Sequence, residues 1–123
     1  MSDFTFDDVL EFKLDQLREI GIKHAEAKKN LSILEHGRNI LLSRLMKEYQ
    51  LNSNGKFNSA VAQEREARSD PRYEQHITSL GEAVRIESEL NWQKKIVDIN
   101  FESWKTRMIN STCLLYTSDA ADE

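Results

Sequence analysis

Two groupings in the 123-residue chain carry the residue types for recognition chemistry. Arg65, Arg68 and Arg72 lie next to Tyr73, and Lys94 and Lys95 lie next to Trp92. Cations beside a stacking ring suit a single nucleic-acid strand, because the charges neutralise phosphates while the ring stacks on bases. The same cations would suit an acidic protein partner. Lys23, Lys28 and Lys29 form a further basic group. Glu64, Glu66, Asp70 and Glu74 interleave with the arginines, and at helical spacing they can pair with them. A solvated, internally paired helix face is the plainer reading of the arginine group.

Other chemistry is missing from the pattern. His24, His36 and His76 make no pair at i, i+4, so a helical zinc motif is absent. The residues three before them are Gly21, Ile33 and Tyr73, where a di-iron bundle would carry Glu. There is no Glu-x-x-Glu pair, no phosphate-cradling glycine loop and no nucleophile constellation. The expectation is a non-enzyme with no cofactor and no metal.

The last eleven residues, Cys113 to Glu123, read back into codons that resemble the transposase-end adapter of sequencing libraries. On that reading the native chain runs to near Thr112 and continues into unknown sequence, and the tail is disordered or loosely extended. The tail holds the single cysteine and three acids, Asp119, Asp122 and Glu123. The formal charge of −4 then falls to −1 for residues 1–112, with 17 basic against 18 acidic residues. Without Cys113 no disulfide or thiolate metal site is available. Residues 1–19 carry net −4 and residues 20–56 net +4. Such asymmetry can guide antiparallel pairing or partner choice. No long apolar run suggests a membrane span, and the acidic start Met1-Ser-Asp-Phe-Thr-Phe-Asp-Asp lacks a signal-peptide core. The default location is the cytoplasm, the host's where a phage encodes the chain.

Four glycines and one proline leave few places to break a helix, so the elements that position these residues must be long helices. Thr5-Phe-Asp-Asp8 resembles a capping box. A heptad-like stripe follows: Leu10, Leu14, Leu17, Ile20, His24, Ala27, Leu31, Leu34, Arg38, Leu41, Leu45 and Tyr49. It predicts a helix over about 6–50, roughly 65–70 Å long at about 1.5 Å per residue. Asn52-Ser-Asn-Gly-Lys56 reads as a loop, and Asn58 or Ser59 caps a short helix to about 68. Asp70 and Pro71 then open a helix to about 110, with a stripe of Tyr73, Ile77, Leu80, Val84 or Ala83, Leu90, Val97, Phe101, Trp104 and Met108. The fold class expected is all-α: one domain, residues 1–112, built as an antiparallel helical hairpin with a short connecting helix. An Arg38 on the seam would need an acid such as Glu87 across from it.

A two-helix hairpin buries one face of each helix, yet both helices carry more. Trp92, Ile96 and Ile99 lie roughly opposite Phe101, and Ile33, Ile40, Leu42 and Met46 flank the first seam. The expectation is a homo-oligomer, with Trp92, Ile96 and Ile99 at its interface. Alternatively the short helix folds back and covers part of this surface, though not both patches.

The stretch Ala62-Gln-Glu-Arg-Glu-Ala-Arg-Ser-Asp-Pro-Arg-Tyr-Glu-Gln-His76, followed by Leu80-Gly-Glu-Ala83, Leu90-Asn-Trp92 and Phe101-Glu-Ser-Trp-Lys-Thr106, resembles a family of small helical proteins of tailed phages. The resemblance spans most of residues 5–110. Genes of that family tend to lie among phage recombination and single-strand-binding genes. More loosely, the layout is similar to phage recombination mediators, which are helical oligomers that load a recombinase onto single-stranded DNA. The resemblance implies a non-enzymatic accessory protein of phage DNA recombination or replication. Its partners would be further copies of itself and single-stranded DNA, a recombinase or a single-strand-binding protein. Arg65, Arg68, Arg72, Lys94 and Lys95 are the candidate contacts. The other reading is a coiled-coil assembly or adaptor protein with no nucleic-acid role.

Overall fold

In the computed structural model the backbone is described for residues 5–52 and 54–121, and side chains for 5–52 and 54–112. Three helices follow in order: α1 (Phe6–Asn52), α2 (Ala60–Ser69) and α3 (Pro71–Ala121). The fold is all-α.

Local chemistry sets each boundary. The Asp8 N–H donates to Thr5 Oγ1 and the Thr5 N–H donates to Asp8 Oδ2, both at 3.1 Å, which closes the capping box at the start of α1. Asp7 and Asp8 add negative charge to the positive end of the helix dipole. Past Asn52, Asn54 and Gly55 take left-handed backbone angles (φ 53° and 85°), which reverse the chain. Ser59 caps α2 by accepting from the Ala62 N–H at 3.1 Å. Asp70 precedes proline, is extended (ψ 134°), and so ends α2. It then begins α3: its Oδ1 accepts the Arg72 N–H at 2.8 Å, and Pro71 supplies a first helical residue that needs no donor.

The helix α3 continues to Ala121, past the end expected near 110, and the residues read as a loose tail are helical in their backbone as far as 121. Gly81 is the only glycine after Pro71 and no second proline occurs, so nothing in the sequence stops the helix. The packing of Leu114, Leu115 and Tyr116 lies outside the described side chains, as do Met1–Phe4 and Ser53.

The chain divides into two compact units, Met1–His24 with Leu90–Glu123, and Ala25–Glu89. Within the first, the early turns of α1 pair with the later turns of α3. The Phe6 and Trp104 rings stack 5.3 Å apart, and Lys13 Nζ lies 5.4 Å from the Trp104 ring centre. Ile20 and His24 are buried; Leu10, Leu14 and Leu17 are half-buried, as are Leu90, Val97, Phe101 and Trp104.

Within the second unit all three helices meet. Leu45 of α1, Ala67 of α2 and Tyr73 of α3 form the core, with Leu41, Leu42, Met46 and Tyr49 packed around it. Leu42 and Met46, which flank the first seam, pack against this core, while Ile33 and Ile40 stay exposed. Full burial of a leucine contributes about 1.5–3 kcal/mol. The seam on α3 differs from the hydropathy reading at two places. His76 sits half-buried where Ile77 was expected, and Met108 is exposed; of the alternatives Val84 and Ala83, Ala83 is the buried one. The His76 ring reaches α1, where Nε2 donates to the Leu34 carbonyl at 2.8 Å. Gly37 makes the room: a Cβ there would meet His76 Cε1 at 3.2 Å. Gly37 is half-buried and Arg38 is exposed, so Arg38 is not a seam residue and needs no buried acid.

Candidate functional site

The arginine group lies on α2 and the first turn of α3, in the unit Ala25–Glu89. Its centre is Asp70, 6% exposed. The Tyr49 hydroxyl donates to Asp70 Oδ2 at 2.9 Å. Arg72 donates to Asp70 through Nε (3.1 Å) and a terminal nitrogen (3.0 Å), and to Glu48 of α1 at 2.7 Å. Arg68 donates to Glu64 through two nitrogens, at 3.0 and 2.8 Å. Its guanidinium also lies 6.0 Å from the Tyr73 ring centre.

The electrostatics follow from this geometry. The Arg72 guanidinium, then the Arg72 N–H, hold the Asp70 carboxyl well below the usual carboxylate range, with the Tyr49 hydroxyl adding to them against desolvation. The hydrogen bond to Asp70, then desolvation, raises the Tyr49 hydroxyl above its ordinary value of 10.0. Asp70 and Glu48 in turn raise Arg72, whose charge is permanent. The charge of Arg72 is thus used to join α1 to α3, and the charge of Arg68 to brace α2. Of the three arginines, Arg65 alone is exposed with no side-chain partner among the described residues.

The lysine group lies in the other unit, on α3. Trp92, Ile96 and Ile99 are 66%, 52% and 66% exposed. They sit at i, i+4 and i+7, so they share one face. Lys95 Nζ lies 5.3 Å from the Trp92 ring centre, within reach of its π-face. Neither Lys94 nor Lys95 has a carboxylate partner among the described residues. Ile99 also edges a shallow depression with Asp98, Glu102, Ser103 and Thr106.

The arrangement brings cation and ring together at both places but leaves them accessible only at the second. Sequence reading missed Glu48, Tyr49 and the double role of Asp70. Their contacts span 21–24 residues along the chain, beyond the reach of any short-range spacing rule. The Arg68–Glu64 pair at i, i+4 was within that reach. Among the described residues no group of three or more His, Cys, Asp or Glu side chains is placed to hold a metal ion, and no helix is long and apolar enough to cross a membrane.

No protein-family model, curated protein or solved structure matches the chain.

Proposed function

We propose that the protein is a non-enzymatic accessory protein of phage DNA recombination or replication. It acts by self-association and by contact with single-stranded DNA or the proteins that bind it. The observation that supports this is the α3 face where Trp92, 66% exposed, stands beside Lys94 and Lys95. An open ring flanked by cations gives a base a stacking platform and gives phosphates a counter-charge. Ile96 and Ile99 extend the same face with apolar surface for a protein neighbour. The phage context comes from the sequence resemblance.

The test is a titration of fluorescently labelled oligo-dT at several salt concentrations. The proposal expects binding that weakens as salt rises, and a shallower salt dependence for Lys94→Ala/Lys95→Ala, by about one ion per lysine removed. No binding at low salt, to the oligonucleotide or to a single-strand-binding protein, overturns it.

A second reading is an assembly or adaptor protein with no nucleic-acid role. Its support is the internal use of Arg68 and Arg72, which leaves their group little charge for phosphates. It expects oligomers that depend on Trp92, Ile96 and Ile99 and do not respond to DNA.

A further inference from the structure

The outer face of α1 within Ala25–Glu89 carries an unpartnered surface of its own. Ile33 and Ile40 are each 58% exposed and one heptad apart. Ile33 also edges a groove of ≈ 710 Å³ with Ala27, Leu34, Ala83 and Ile86. One to two turns beyond Ile40 come Arg44 and Lys47 on the same side of the helix. Both are exposed, and neither has a carboxylate partner among the described residues. The face therefore reads apolar, apolar, basic, basic. The neighbouring Leu42 and Met46 pack instead against the Leu45–Ala67–Tyr73 core.

The first part of α1, in the unit Met1–His24 with Leu90–Glu123, presents the opposite charge order. Asp8 and Glu11 come first, then Asp15, and Ile22 follows, 66% exposed. Asp8, Glu11, Asp15 and Ile22 recur at three-, four- and seven-residue steps and share a face. Glu11 is exposed and has no basic partner among the described residues. Phe12, next to it, is 63% exposed.

We infer that the Ile33–Lys47 face of one copy receives the acidic first part of α1 from a second copy, the two segments running antiparallel. With Ile22 of the second copy set against Ile33, the same register sets Glu11 against Arg44 and Asp8 against Lys47. It also brings Phe12 within one turn of Ile40. Glu11 and Asp8 each meet a cation and Ile22 meets Ile33, while Asp15, already paired with Arg18 at 2.7 Å, falls opposite Ile40. The net −4 of residues 1–19 and net +4 of residues 20–56 gain a purpose in this arrangement. The inference goes beyond the Trp92 face and uses none of its residues.

Charge reversal in the full-length chain tests it, read by sedimentation at low salt. The unmodified chain self-associates, and association weakens with added salt as exposed ion pairs are screened. Glu11→Arg and Arg44→Glu each lower the association constant by about tenfold or more, since each sets like charges together. Glu11→Arg/Arg44→Glu together restore it to within about threefold, as does an equimolar mixture of the two single variants. Ile33→Ala, which favours the helix and so protects folding, lowers association as well. A monomeric unmodified chain, single variants that associate normally, or a double variant as weak as the singles overturns the inference.

Discussion

The bend around Asp70 and the α3 face around Trp92 start from the same ingredients, cations beside an aromatic ring, and use them in opposite ways. At the bend, Arg72 is bound to Asp70 and Glu48, Arg68 to Glu64, and the Tyr73 ring is buried in the core. On the α3 face, Lys95 lies over the Trp92 ring, neither Lys94 nor Lys95 has an acid partner among the described residues, and the ring stands in solvent. The difference comes from surroundings rather than residue type. The bend places carboxylates from α1, α2 and the α2–α3 junction around its arginines. Among the described residues, no carboxylate pairs with the lysines of the α3 face. Internal pairing converts charge into structure, and charge left without a partner stays available for binding.

Three predictions bear on this contrast. The largest effect belongs to the core beneath the bend. Leu45 is 1% exposed between Ala67 and Tyr73, and Leu45→Ala should destabilise the chain by about 2–5 kcal/mol, read as a shift in the urea midpoint. A shift within about 0.5 kcal/mol would show that the bend is not a packed core.

Next comes Asp70→Asn. A carboxyl held below its unfolded value adds stability at every pH above that value, about 3.9, and loses it as pH falls toward the folded value. The variant should therefore melt below the parent at neutral pH, and the gap should close as pH drops below about 4. A gap independent of pH would mean that the Arg72–Asp70 pair contributes nothing through charge. The smallest effect on stability belongs to the other region. Trp92→Ala should change it by no more than about 0.5 kcal/mol, because the ring is already in water, while weakening association or strand binding. A large loss of stability would make Trp92 a structural residue.

Much of the fold was legible in the sequence because its signals are local. The Thr5–Asp8 box, the Asn54–Gly55 reversal and the Asp70–Pro71 junction each declare themselves within four residues, and each forms as its residue types require. The apolar periods marked the three helices. Seam membership was legible only in part, because it follows angle and shape rather than hydropathy. The seam takes the His76 ring over the more apolar Ile77, since Gly37 leaves space for it and the Leu34 carbonyl accepts from it. Of Val84 and Ala83, both allowed by the period, the smaller is the buried one. At the candidate sites, exposure of Trp92, Ile96 and Ile99 followed from their angle on α3. The capture of Arg72 did not, because Glu48 is 24 residues away and on another helix.

The most direct measurement is oligo-dT binding at low salt by three proteins side by side: the unmodified chain, Lys94→Ala/Lys95→Ala and Arg68→Ala. The account predicts that the unmodified chain binds, that the lysine variant loses most of that affinity, and that Arg68→Ala keeps it within about twofold, since Arg68 is already paired with Glu64. Binding that survives the lysine changes and falls with Arg68→Ala, or no binding at all, would contradict it.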